Sequence, residues 1–254
     1  MPRILDPDME THAIAGSTFQ FSAVKPSNLG ANEYCLATIV IDGSGSTESF
    51  WPGIRSAVLE SVRALRGTKT RPNPRADNTL LRVVVFDHVL HEIHGFRMLT
   101  ECNDDDYQNL RCPAGTTALY DATYTSIQAT LEESKVLEKN SFQSNGIVIV
   151  ITDGAEYPAN ASTATRNMIA KSVQDARASE ILESLVTILV GVNASGPTGT
   201  YLDEFQREAG FQQYVQLNDA NPDTLGRLGG FVSRSISSQS QSLGTGGPSQ
   251  SLTF

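Results

Sequence analysis

Short, almost entirely apolar runs that end on polar residues recur along this chain. One run, Leu36–Ile41, is followed by Asp-Gly-Ser-Gly-Ser at 42–46, and a second, at 147–151, is followed by Thr-Asp-Gly at 152–154. A β-branched run with no polar face predicts a strand that is buried in a parallel sheet. Open α/β folds place their ligands beyond the carboxyl ends of such strands. The pattern therefore predicts polar side chains gathered at one edge of a sheet.

Strand and helix patterns alternate after position 36. Strand patterns fall at 36–41, 80–86, 89–96, 146–152, 185–192 and 214–217. Apolar residues at helical spacing predict helices over 49–65, 119–137, 164–179, 201–208 and 222–236. The alternation predicts right-handed crossovers and a Rossmann-like, doubly wound, mostly parallel sheet with helices on both faces. The strand at 89–96 follows its predecessor after a two-residue turn, so we expect it to be the one antiparallel strand, at an edge of the sheet.

A chain of 254 residues, 39% of them hydrophobic, is long enough to form one α/β domain with a sizeable core. We predict this domain over 14–236, with its core at 36–236 and a short N-terminal edge strand near 18–24. Residues 1–13 are predicted to be a flexible leader. Residues 237–254 are rich in Ser, Gln and Gly and have too little apolar area to offset the entropy of ordering them, which predicts a flexible tail.

Charge and cysteine content narrow the classes of partner and compartment. Nineteen basic against 28 acidic residues give a net charge of −9, and no Lys/Arg cluster could follow a phosphate backbone, which argues against a nucleic-acid partner. No segment has the pattern of a signal peptide or a membrane span, so we expect no membrane partner. Cys35, Cys102 and Cys112 lack Cys-x-x-Cys spacing, which argues against a disulfide framework and a thiolate zinc site. Together these features predict a soluble cytoplasmic protein.

The Asp-Gly-Ser-Gly-Ser segment suggests a site for a small, hard cation. Asp42, Ser44 and Ser46 offer one carboxylate and two neutral hydroxyls, and the intervening glycines let the backbone curl so that these groups converge. Taken alone, this motif could instead be a helix cap that binds no cation, because Asp and Ser residues after a strand often cap the following helix.

Two later motifs favour the cation. Gly-Thr-Thr-Ala-Leu-Tyr-Asp at 115–121 and Ile-Thr-Asp-Gly at 151–154 follow the first motif in the order and approximate spacing of the von Willebrand factor type A (VWA) family. The chain resembles VWA domains with a metal-ion-dependent adhesion site (MIDAS) over about 36–236, and shorter stretches resemble bacterial and phage single-domain members. The resemblance implies five metal ligands, with Thr116 as the alternative to Thr117 if the alignment shifts by one position: Asp42, Ser44, Ser46, Thr117 and Asp153.

The donor set of the implied site limits the choice of metal. Two carboxylates and three neutral hydroxyls leave a dication electrophilic, with an open position for water or an incoming ligand. A site made mainly of carboxylates would close around Ca²⁺, and one of Cys and His would select Zn²⁺. We therefore expect Mg²⁺, with Mn²⁺ as the second choice, and an Asp or Glu of a protein partner as the natural occupant of the open position.

The favoured function is a non-enzymatic protein-interaction module. Because prokaryotic relatives often work beside AAA+ ATPases or in stress and defence complexes, the resemblance implies an adaptor of that kind. An alternative is a metal-dependent phosphohydrolase, but that chemistry needs a second acid where Ser44 stands, and no His lies in the three loops. Another alternative is a self-assembling structural protein; a homo-oligomer is compatible with the sequence but not indicated by it.

Overall fold

A computed structural model describes residues 7–14, 19–68, 70–243 and 252–254. Its strands are Met9–Ala13 (β1), Gln20–Val24 (β2), Glu33–Asp42 (β3), Gly67–Thr68 (β4), Arg71–Pro72 (β5), Thr79–Phe86 (β6), Leu90–Met98 (β7), Gln143–Thr152 (β8), Leu185–Gly191 (β9) and Gln213–Gln216 (β10). Its helices are Trp51–Arg66 (α1), Asp104–Gln108 (α2), Leu119–Lys139 (α3), Arg166–Ala178 (α4), Pro197–Ala209 (α5) and Pro222–Ser242 (α6).

Eight of the described strands form one sheet in the order β1-β2-β7-β6-β3-β8-β9-β10, while β4 and β5 form a separate pair. Strands β6, β3, β8, β9 and β10 are parallel neighbours, which confirms the predicted mixed α/β fold with a mostly parallel sheet. The register pairs Asp42 of β3 with Phe86 of β6, and Ile41 with Ile151 of β8. The carboxyl ends of β3, β6 and β8 therefore lie side by side.

Both faces of the central strands are buried, as their continuous apolar sequence requires. Alternate residues such as Ile39 and Ile41 pack in a core with α1 and α6, whereas Val40 and Val150 pack in a core with α3, α4 and α5. Since side chains alternate faces along a strand, these two cores are the two sides of the sheet. The helices cover both sides, as predicted.

The antiparallel strand β7 pairs with β6, but its predicted place at the edge of the sheet is wrong. Strand β2, predicted near 18–24 as an edge strand, lies beyond it, and β1 forms the edge instead through five paired residues with β2. The pairing of β1 with β2 is antiparallel as well, so β7 is not the one antiparallel strand. The predicted flexible leader is therefore wrong for Met9–Ala13; residues 1–6 lie outside the described part. Backbone pairing orders β1, together with the stacking of His12 on Phe21 at 5.2 Å between ring centroids.

The predicted flexible tail is also wrong for residues 237–242, since α6 continues to Ser242. Hydrogen bonds replace apolar burial in this last part of the helix. Gln239 donates to Gly146 O at 3.1 Å, and Asn145 donates to Gln239 O at 2.7 Å. Residues 244–251 lie outside the described part, and Phe254 packs edge-on against Phe231 with 5.7 Å between ring centroids.

Within the described residues, no helix combines the length and the apolar character needed to cross a bilayer.

Candidate metal centre

The first loop of the candidate site begins at the carboxyl end of β3. Asp42 is fully buried, and its Oδ1 accepts a hydrogen bond from the Ser44 amide at 2.9 Å. Its Oδ2 accepts one from the Thr152 hydroxyl at 2.6 Å, across the β3–β8 boundary. Position 43, between Asp42 and Ser44, requires a glycine, because an added Cβ would lie 2.5 Å from Pro113 Cδ. The carboxylate is therefore held in one orientation by the loop that follows β3 and by the last residue of β8.

The third loop contacts the first through Asp153, the residue after β8. Ser46 Oγ donates to Asp153 Oδ1 at 2.8 Å, and the Ser44 and Ser46 hydroxyl oxygens are 3.1 Å apart. Three of the predicted ligands thus form one hydrogen-bonded row of oxygen atoms. The contact between Ser46 and Asp153 joins residues that are 107 positions apart in the chain.

The second loop places Thr117 beside the other two loops. Thr117 forms an isolated antiparallel bridge with Tyr157, with N to O distances of 2.8 and 2.9 Å. The loop is also tied to the first one, since the Gly45 amide donates to Gly115 O at 3.0 Å. Backbone contacts therefore bring the three predicted motifs together at the carboxyl edge of the sheet.

A cavity of about 430 Å³ opens between the three loops. Ser44, Ser46 and Thr117 line it, and Asp153 contacts Ser46 at its side. Thr116 lines it as well, so the cavity does not distinguish the two threonines. The structure brings the predicted residues together, and their role as ligands stays a prediction.

Burial changes the acidity of both carboxyl groups. Desolvation raises the pKa of Asp42 to about 6, against the lowering effect of the hydrogen bonds from Thr152 and Ser44. Desolvation also raises the pKa of Asp153, and the Ser46 hydrogen bond lowers it. In the described part of the chain neither carboxyl group pairs with a Lys or Arg. Two desolvated carboxyl groups without a basic partner suit a bound cation, which would favour their ionised forms.

The chemistry of the donors fits a hard cation. Carboxylate and hydroxyl oxygens are ligands suited to Mg²⁺, Mn²⁺ and Ca²⁺. No group of three or more His, Cys, Asp or Glu side chains is arranged to hold a metal within the described residues, so the candidate site depends on its serine and threonine hydroxyls.

Two residues make positioning contacts that the sequence does not predict. Thr152 orients Asp42, and only the register of β3 against β8 reveals that contact. Glu156 is buried, with Oε1 accepting from the Ser162 amide at 2.6 Å and Oε2 accepting from the Tyr120 amide at 3.1 Å. Glu156 therefore ties the third loop to the first turn of α3, immediately after the second loop.

The architecture is a VWA-like fold: a mostly parallel sheet with helices on both sides and three loops meeting at its carboxyl edge. Solved structures support this class. The D319A mutant of the PilB minor pilin from Streptococcus sanguinis matches with a TM-score of 0.57 and 14% identity, over 89% of this chain and 66% of the pilin. Proximal thread matrix protein 1 (PTMP1) from the mussel byssus, with a zinc-occupied MIDAS motif, matches with a TM-score of 0.53 and 15% identity, over 82% of this chain and 47% of PTMP1.

At these identities the likeness shows the fold alone, and the chain spans less than two thirds of the length of either protein. A scan of protein-family models and a search of curated proteins each gave no match.

Proposed function

We propose that this protein is a non-enzymatic interaction module that binds Mg²⁺ and docks an acidic side chain of a protein partner. The proposed ligands are Asp42, Ser44, Ser46, Thr117 and Asp153. The observation that carries the proposal is the row of hydrogen-bonded oxygens from Ser44 through Ser46 to Asp153, which lies beside an open cavity. Because Ser46 is exposed, we expect this row of hydrogen bonds to add little to the stability of the fold.

The metal follows from the donors. An all-oxygen set with two carboxylates favours Mg²⁺, with Mn²⁺ as the second choice. The zinc-occupied MIDAS of mussel PTMP1 supports a divalent cation in a fold of this type. When bound, the cation supplies positive charge and an open coordination position for a carboxylate.

The residues around the site act by holding its parts in place. Thr152 fixes Asp42 through a 2.6 Å hydrogen bond, and Glu156 fixes the third loop against α3. A site whose supporting residues are already ordered loses less entropy when a partner binds. This arrangement favours a docking surface, and the absence of a second acid at position 44 argues against phosphoryl chemistry.

The proposal includes a cytoplasmic location and an adaptor role beside an AAA+ ATPase or in a stress or defence complex. The location agrees with three free cysteines, Cys35, Cys102 and Cys112, among the described residues. The adaptor role is supported by the sequence resemblance.

The test is capture of the partner by the full chain from an extract of its native cell, in Mg²⁺ and in EDTA. We expect a partner that is retained in Mg²⁺, released by EDTA and lost with Asp42→Ala. Ser46→Ala should weaken capture as well. Because Ser46 is exposed, this variant should fold even if Asp42→Ala does not. Asp105→Ala, the same chemical change at an exposed position of α2, is the matched control and should capture normally.

The partner must also supply the acid. Replacing its contacting Asp or Glu by Ala should abolish capture in Mg²⁺. Equal capture by the Asp42→Ala chain, or in EDTA, would show that the interaction does not use a metal.

A further inference from the structure

Tyr157 is a large aromatic side chain left in solvent beside the candidate metal centre. Its exposed fraction is 69%, the highest among the exposed large hydrophobic residues of the described chain. It lines the same cavity as Ser44, Ser46 and Thr117. A single exposed apolar residue is ordinary on a protein surface, so exposure alone indicates nothing.

The backbone of Tyr157 distinguishes it from an ordinary exposed residue. Both its amide and its carbonyl are hydrogen-bonded to Thr117, at 2.9 and 2.8 Å. The preceding residue, Glu156, is buried and has its carboxylate bonded to the Tyr120 and Ser162 amides. The ring is therefore carried on an ordered backbone, and a tyrosine in that situation offers a large contact area at a low entropic cost.

The cavity is larger than a single carboxylate needs. Its volume is about 430 Å³, within the range of sites that bind small molecules. Among the described residues that line it, Glu156 is the one charged residue and Tyr157 the one aromatic residue. Both Glu156 oxygens are already hydrogen-bonded. Next to the place for the acidic group, the cavity thus offers room and an apolar surface for a second side chain.

We propose that the protein recognises an acidic residue with an apolar neighbour, whose side chain packs against the Tyr157 ring while the carboxylate occupies the metal's open position. This inference rests on the proposed function and specifies the chemistry of the partner. Tyrosines that become buried when a partner binds are frequent among the residues that dominate binding at protein interfaces. The Tyr157 ring should therefore contribute strongly to the affinity for the partner.

The experiment uses an array of peptides with a central Asp and one varied neighbour, either Leu, Tyr, Ser or Lys, probed with the labelled full chain in Mg²⁺. We expect Leu and Tyr neighbours to bind at least about tenfold more tightly than Ser or Lys neighbours. Tyr157→Ser should remove that preference, and Tyr157→Phe should keep it. Met168→Ser, which changes an exposed apolar residue of α4, is the matched control and should behave as the unchanged chain.

The variants separate this inference from the proposed function. Binding that is lost in Asp42→Ala but keeps its preference in Tyr157→Ser would overturn the inference and leave the metal-dependent module standing. Binding that Asp42→Ala and EDTA leave intact would overturn the proposed function. If no peptide binds in a metal-dependent way, the inference is overturned as well.

Discussion

Glu133 of α3 should make the stability of this protein fall with rising pH. Its side chain is fully buried, and neither carboxyl oxygen has a hydrogen-bond partner among the residues that the structure describes. The His12 ring on β1 lies beside it, with Nε2 4.0 Å from Glu133 Oε2. Desolvation is the larger cause, and repulsion from Glu10 the smaller, of a rise in the pKa of Glu133 from 4.5 to about 8. At neutral pH the folded protein therefore holds a proton on Glu133 that the unfolded chain has released.

The magnitude follows from proton linkage. Between pH 4.5 and about 8 the folded state binds one more proton than the unfolded state, so each pH unit lowers the free energy of unfolding by about 1.4 kcal/mol. The stability attributable to this group is full below pH 4.5 and is lost as the pH rises through the folded pKa. The loss amounts to about 3 kcal/mol at pH 7 and about 5 kcal/mol above pH 8.

Glu133→Gln removes the titration and keeps the shape of the side chain. We expect the variant to match the unchanged protein near pH 4 and to be more stable by about 3 kcal/mol at pH 7 and about 5 kcal/mol at pH 9. Urea unfolding at the three pH values measures the difference. Glu132→Gln is the matched control: its side chain is 22% exposed and pairs with Lys135, so its effect should stay within about 0.5 kcal/mol at each pH. A difference between Glu133→Gln and the unchanged protein that does not vary with pH would refute the reasoning.

Two further pairs of substitutions test the sheet and the candidate site. Gly95→Ala should destabilise the fold by about 3 kcal/mol in urea unfolding, because its Cβ would lie 1.7 Å from the Ser22 carbonyl oxygen between β7 and β2. Gly226→Ala in α6, where a Cβ meets nothing within 4 Å, should instead stabilise by up to about 1 kcal/mol; equal effects of the two changes would contradict the packing. Thr152→Val removes the hydroxyl that donates to Asp42 and should weaken Mg²⁺ binding about tenfold by calorimetric titration, while Thr152→Ser should keep it. Unchanged affinity in Thr152→Val would show that this hydrogen bond does not orient the ligand.

The central sheet was predictable because the apolar sequences of its strands indicate that both faces of each strand are buried. Leu36–Ile41 has no polar face, and neither does the run at 147–151, so both had to lie between two layers of helices. Their shared parallel direction then placed Asp42 and Asp153 at one edge of the sheet.

The ends of the chain could not be predicted in the same way. Residues 9–13, Met-Glu-Thr-His-Ala, have little apolar character, and β1 forms through backbone pairing to β2. The last turns of α6 bury Gln239 through hydrogen bonds to groups that lie about ninety positions away in the sequence, at Asn145 and Gly146. Long-range hydrogen bonds of this kind leave no local signal.

The sequence predicts which motifs meet at the candidate site, but not the contacts that support them. The motifs predict five ligands, of which Ser44, Ser46 and Thr117 line one cavity; hydrogen bonds join Asp42 to Ser44 and Asp153 to Ser46. The contact of Thr152 with Asp42 depends on the strand register, and the contacts of Glu156 depend on where α3 begins. Neither contact follows from the type of the residue alone.

The measurement that tests the account most directly is calorimetric titration of Mg²⁺ into the full chain and into its Asp42→Ala variant. Circular dichroism of both proteins would establish that each is folded. We expect one metal site per chain in the unchanged protein and no detectable site in Asp42→Ala. No binding of Mg²⁺ or Mn²⁺ to the unchanged protein, or equal binding to the folded variant, would contradict the claim that these three loops form a metal centre.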